Sequence, residues 1–390
     1  MSVEDPRWIE EGRALQEYLE EVLDARPVLA LDTESSHFRA YTPRICLIQL
    51  AGGETGGEVA FVDPISEAME DGGLESLFEV LEDPAVEKVL HSARNDLGEL
   101  DRDYQRGLRG LFDTELAARF LGYRRSKLSW LTEEVLGVKI PDGMQKFDWT
   151  TRPLPKKALR YAGSDVDHLL ELRDRLAEEL AESPWWQAFE ETCEWVARET
   201  RYQERPFDPE RWRRIKAAKN FNGRQRARLQ ELYRWRHEVC EERNLAAFLV
   251  VPDHHLAGLS KRPPRSMADL KGGKKHVQKL SEREQEQLLE TLERAEKIDE
   301  PPAELPRRGE RPGPRERARF EALRKWRNAK AKEFDLPSEF IATNDTLTQV
   351  AAAPPEEVSD LEGFDDLLQW QVELFGEELV EVAILGDRED

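Results

Sequence analysis

Residues 232–272 and 323–363 align at a constant offset of 91 positions without a gap. Leu232 falls on Leu323, Trp235-Arg236 on Trp326-Arg327, Leu245 on Leu336, Leu256 on Leu347, Pro263-Pro264 on Pro354-Pro355 and Gly272 on Gly363. Agreement at so many unlike residue types means that the two stretches share one fold. Both read as helices joined by proline-bearing turns, and strand patterns vanish beyond residue 200. A stretch rich in Pro, Glu and Arg separates the copies, so they cannot stack as a continuous solenoid. The expectation is a duplicated helical module with an extended linker between the copies. Trp235 and Trp326 recur within amphipathic helices, which makes them core anchors.

The first half has a different grammar. Residues 27–34 (PVLALDTE), 44–51 (RICLIQLA) and 58–64 (EVAFVDP) read as three strands of a meander, with a glycine-rich turn between the last two. Helical periodicity follows in GLESLFEVLEDPAV, a strand in VEKVLHSA, then helices at NDLGELDRDY, LFDTELAARFLG and SKLSWLTEEVLGV. Residues 156–180 read as one long amphipathic helix. This alternation is the α/β pattern.

Five side chains in that half share useful positions. Asp32 and Glu34 lie two apart at the end of an apolar strand and project from one face. Tyr161 and Asp165 lie four apart on a helix and share one side of it. Asp96 follows a strand-to-helix switch. Four convergent carboxylates repel one another unless a cation lies among them. Oxygen-only donors favour Mg²⁺ or Mn²⁺ over Zn²⁺, and a pair of such ions suits phosphodiester cleavage. The Tyr161 phenol is a poor base and is expected to orient water.

In order and context these residues resemble the ribonuclease D family, the tyrosine branch of the DEDD 3′-to-5′ exonucleases. Its motifs are D-x-E after a strand, an Asp in an H-x-x-x-x-D-L-like segment, and Y-x-x-x-D, matched by Asp32, Glu34, Asp96, Tyr161 and Asp165. The text around 27–180 matches as well, including Gln145, Asp148 and Trp149 as Q-x-x-D-W. The resemblance implies a ribonuclease H-like exonuclease fold. It also implies one metal on Asp32, Glu34 and Asp165, and a second on Asp32 and Asp96. The segment after Glu34 reads SSHFRAYTP where many members carry an aromatic residue directly. His37 and Phe38 are expected to meet the terminal nucleotide, with Gln145 and Trp149 also at the nucleic acid. The repeat in turn resembles the HRDC domain, a small helical bundle. The domain boundaries are then 1–190 for the exonuclease, 200–290 for the first module, 291–317 for the linker and 318–390 for the second module.

Charge adds a distinction between the copies. The chain carries a net charge of −22, which alone argues against a polyanionic partner. Residues 211–280, however, hold 18 basic and 6 acidic residues, whereas residues 331–390 hold 2 and 17. Arg211, Arg213, Arg214, Lys216, Arg224, Arg226 and Arg228 fall in a stretch without a single acid, the footprint of phosphate binding. The acidic second copy is expected to pack on the chain or to contact a protein. Function therefore reads as a 3′-to-5′ exoribonuclease releasing 5′-monophosphates, with tRNA precursors as the substrate that the resemblance implies. A DNA exonuclease and a catalytically silent RNA-binding scaffold are the alternatives. Three dispersed cysteines argue against a disulfide framework, and no apolar stretch or signal-like N-terminus points to a membrane, so a cytoplasmic location is expected.

Overall fold

The computed structural model describes residues 6–53, 58–70, 72–204, 206–271, 275–299, 301–303 and 313–385. The chain forms two compact units that interleave in sequence. One comprises Met1–Glu34, Ile45–Tyr202 and Arg311–Asp390; the other comprises Ser35–Arg44 and Gln203–Glu310. The second helical module thus belongs with the α/β domain, and the first module stands in a unit with ten residues from the α/β half.

In the first unit a single six-stranded sheet is built from β1 (Arg7–Ile9), β2 (Val28–Ser35), β3 (Ile45–Gly52), β4 (Val59–Val62), β5 (Glu87–Leu90) and β6 (Leu111–Asp113). Their order is β1-β4-β3-β2-β5-β6, with β3 and β4 antiparallel and the pairs β1/β4, β2/β5 and β5/β6 parallel. The expected meander is β2-β3-β4. Every residue of β3 is buried, Gln49 included, which explains why the strand is otherwise apolar along its length.

Three expectations change. The stretch read as one helix from Leu111 begins as strand β6, and Asp113 then caps the helix Thr114–Phe120 by accepting from the N–H groups of Glu115 and Leu116. Three residues are too few for a strand period to show. The long helix over 156–180 is two helices, Lys156–Asp167 and Leu169–Ala181, because His168 takes φ −107°, ψ 5°. The linker expected over 291–317 is helical at both ends. A Ser281–Glu284 capping box starts a helix that runs to Glu296, and Pro314 at a helical N-terminus opens the helix Pro314–Glu333. Linker residues 300 and 304–312, turn residues 54–57 and basic-patch residues 272–274 lie outside the described residues.

The duplication extends to individual hydrogen bonds. Arg236 donates to the Val251 carbonyl at 2.7 Å, and Arg327, 91 positions later, donates to the Ala342 carbonyl at 3.2 Å. Arg228 bonds the Ser260 carbonyl, and Arg319 bonds that of Ala351. Asn244, which caps its long helix, and Asp335, just past the cap Phe334 of the second copy's helix, both take positive φ, 46° and 52°, a conformation that these two residue types tolerate. Trp235 sits in the first module's own core with Leu232, Leu256 and Leu288. In the second module, Leu336, Phe340, Trp370 and Phe375 instead join the core of the α/β domain. Phe120 lies 4.5 Å from Phe340 and 5.7 Å from Trp370, ring centre to ring centre. Glu191 accepts from the backbone of Gln369 and Trp370. The acidic copy therefore packs on its own chain.

Candidate active site

The end of β2 supplies the first two carboxylates. The helix Lys156–Asp167 supplies Tyr161 and Asp165, and small residues set its distance from the sheet. Ala158, Ala162, Gly163 and Val166 form its buried side, and a Cβ on Gly163 would come within 3.3 Å of the Phe61 ring. Carboxylate oxygens of Asp32, Glu34 and Asp165 consequently lie within 4.8 Å of one another. Asp96, in the first turn of the helix Arg94–Tyr104, is fixed from β2. Its Oδ1 accepts from the Thr33 N–H at 3.0 Å and the Thr33 hydroxyl at 2.6 Å.

Thr33 is a residue that sequence reasoning passed over. It lies between Asp32 and Glu34, so its side chain leaves the opposite face of the strand, where it meets Asp96 and, at 3.3 Å, Glu99. A hydroxyl placed between two strand-end carboxylates was the available signal.

Burial and mutual repulsion dominate the electrostatics. Desolvation, then the neighbouring carboxylates, hold the Asp32 acid well above its ordinary range and push Glu34 up to about 9. Burial raises Asp96 to about 7 against the opposing pull of the Thr33 hydrogen bonds. Asp165 also rises to about 7 by burial, tempered by the hydroxyl that Tyr161 donates to it. Tyr161 itself is pushed up by burial and by the same carboxylates, so its phenol keeps its proton and acts as a donor. Such a cluster is costly as bare anions and fits a divalent cation held by oxygen alone. Among the described residues, Asp32, Glu34 and Asp165 form the one group of His, Cys, Asp or Glu with metal-type spacing.

The other expected contacts divide. Trp149 is 1% exposed and lies 6.3 Å from Tyr161, so it braces the tyrosine from inside and is not available to RNA. Gln145 is exposed and donates to Asp142, which also pairs with Lys127. His37 is exposed and meets Ser35 Oγ through Nδ1 at 2.9 Å, and Phe38 rests 5.0 Å from Phe248. Of the basic residues, Arg224 bonds the Ala295 and Ile298 carbonyls, and Arg226 bonds those of Pro302 and Phe221. Arg228 pairs with Glu296, and Arg213 pairs with Glu210. These four guanidinium groups hold the module together, which leaves Arg211, Arg214 and Lys216 on the exposed surface. No helix of the described residues is long and apolar enough to cross a membrane.

Residues 6–181 match the family model of 3′-5′ exonucleases, and residues 225–292 and 316–383 each match that of the HRDC domain. The chain is 35% identical over 246 residues to ribonuclease D of Haemophilus influenzae, a match covering 63% of this chain and 60% of that protein. It is 34% identical to ribonuclease D of Pseudomonas paraeruginosa, with 68% of each chain covered. The solved structure of Escherichia coli RNase D, described as an exoribonuclease involved in structured RNA processing, superposes with a TM-score of 0.62. That match has 28% identity and covers 98% of this chain and 99% of the other. The carboxylate cluster, the paired helical modules and these relatives agree: the chain belongs to the ribonuclease D family.

Proposed function

We propose that this protein is a metal-dependent 3′-to-5′ exoribonuclease that releases nucleoside 5′-monophosphates, with 3′ ends of tRNA precursors and other structured RNA as substrates, in the cytoplasm. The observation that carries this reading is the convergence of Asp32, Glu34 and Asp165, with Asp96 tied to the same strand through Thr33.

Asp32, Glu34 and Asp165 would hold one Mg²⁺ or Mn²⁺, and Asp32 with Asp96 a second. Bound there, such ions supply an activated water and stabilise charge on the leaving 3′ oxygen. The chain's own part is geometric. Tyr161, protonated and hydrogen-bonded to Asp165, is placed to orient the attacking water and has no role as a base. Trp149 keeps the tyrosine ring from turning away. Arg211, Arg214 and Lys216 give the first module an exposed cationic edge for the RNA backbone, with no demand on sequence.

Asp32→Asn should lower Mg²⁺-dependent monophosphate release from a 3′-extended tRNA by about a thousandfold, the equivalent of roughly 4 kcal/mol of transition-state stabilisation. Digestion of matched RNA and DNA strands, with and without EDTA, reads the same site. Equal rates on both would favour a general nuclease, and unchanged activity in Asp32→Asn would remove the assignment.

A further inference from the structure

The strand that carries Asp32 and Glu34 runs on to Ser35, and Ser35 is already the first residue of the other unit. Residues 35–44 close on themselves at the neck, where the Ser36 N–H donates to the Arg44 carbonyl and the Arg44 N–H to Ser36 Oγ, both at 3.0 Å. Beyond the neck the segment is held by the first helical module. The Ala246 N–H donates to the Arg39 carbonyl at 2.7 Å. The Thr42 N–H donates to Asn244 Oδ1 at 2.7 Å, and the Tyr41 hydroxyl meets His237 Nδ1 at 2.8 Å. Phe207 stacks on the His237 ring at 3.7 Å, and Phe38 packs on Phe248.

We propose that Tyr41, His237 and Asn244 are positioning residues for catalysis: by clamping the segment that follows Glu34, the first module fixes the end of the strand that carries two metal-binding carboxylates. The proposal rests on the exonuclease reading above and adds a role for the module other than holding RNA. A ten-residue surface loop is mobile by default, whereas a catalytic carboxylate must be held to within about 0.5 Å. Only three residues separate Glu34 from the first anchored side chain, Phe38, so the tether has little slack. The duplicated module also offers an internal precedent. In the second copy the residue equivalent to Asn244 is Asp335, whose carboxylate lies against Gly122 of the exonuclease domain. The equivalent of Phe248 is Glu339, which pairs with Arg119. The same edge of both copies is thus spent on exonuclease-domain residues.

The test uses the full chain and a single-stranded RNA trinucleotide, too short to need a distant docking surface. Asn244→Gly keeps the left-handed backbone and removes the acceptor; Asn244→Asp keeps both, as Asp335 does in the second copy. With Mg²⁺ saturating and well below the melting temperature, Asn244→Gly and Tyr41→Phe should each lower kcat about tenfold, since misplacement by about 1 Å can cost a hundredfold. KM should stay within about twofold, and Asn244→Asp should retain parental kcat. Parental kcat in Asn244→Gly overturns the proposal. A loss confined to KM also overturns it, because the segment would then be binding RNA. Asp32→Asn is run alongside: if it stays active, the exonuclease reading fails, whatever the clamp variants do.

Discussion

The two helical modules are one design put to two uses. Their interiors kept the same arginine-to-carbonyl bonds across 91 residues, while their surfaces diverged to opposite charge. The first module closes its own core around Trp212 and Trp235. The second gives Phe340 and Trp370 to the core of the exonuclease domain and is, in packing terms, part of that domain. The lesson is that a repeated fold constrains internal bonds tightly and the outer face hardly at all. Function divides along the outer face.

Four measurements test this contrast. Trp370→Ala should destabilise the exonuclease unit by about 3–5 kcal/mol in a denaturant titration, the usual cost of emptying a buried aromatic site. Phe248→Ala, at a residue 42% exposed, should cost less than about 1 kcal/mol. Comparable losses would mean that both modules are equally part of one core.

The second measurement uses pH and metal. The four carboxylates bind protons more tightly folded than unfolded, so without metal their contribution is fullest below about pH 4. It falls as pH rises through about 7 for Asp96 and Asp165 and about 9 for Glu34. Mg²⁺ should therefore raise the melting temperature more at about pH 9 than at about pH 6, by the equivalent of about 2.7 kcal/mol at a hundredfold excess over Kd. Calorimetry should show that shift in the exonuclease transition and little in that of the first helical module.

Third, Arg236→Met and Arg327→Met should each cost about 1–3 kcal/mol, because both leave a buried carbonyl without its donor. A large difference between the two would show that the shared bond is not equally used. The smallest effect concerns RNA: Arg211→Ala combined with Arg214→Ala should reduce the slope of log K against log salt by about two. Charge reversal of Glu373 and Glu377 on the acidic copy should leave that slope unchanged.

Much of the site was legible because its spacings are short. Two residues along a strand and four along a helix fix a shared face wherever the elements lie, so Asp32, Glu34, Tyr161 and Asp165 could be grouped before any coordinates. Long-range relations were less legible. Arg224, Arg226 and Arg228 look like a phosphate-binding stripe in sequence, yet they spend their donors on carbonyls and on Glu296 some 70 residues away. Nothing local distinguishes an arginine that faces water from one that ends a neighbouring helix. Trp149 misled for a related reason, since a tryptophan beside a catalytic motif can serve it equally by touching substrate or by packing behind the tyrosine. The short strand at Leu111–Asp113 depends on pairing with β5, a partner that the local pattern does not reveal.

The interleaving of the units bears on the order in which the chain can mature. Tyr41 and Thr42 wait for partners 196 and 202 residues downstream, and Arg119 waits for one 220 residues away. During synthesis the clustered carboxylates of β2 emerge early, but the aromatic cluster around Phe120 stays incomplete until residues near 340–375 have followed. Contacts of such sequence separation are slow to form and leave apolar surface exposed meanwhile. A nascent chain that already carries Asp32, Glu34, Asp96 and Asp165 is thus still without the aromatic packing that residues near 340–375 bring to the sheet domain.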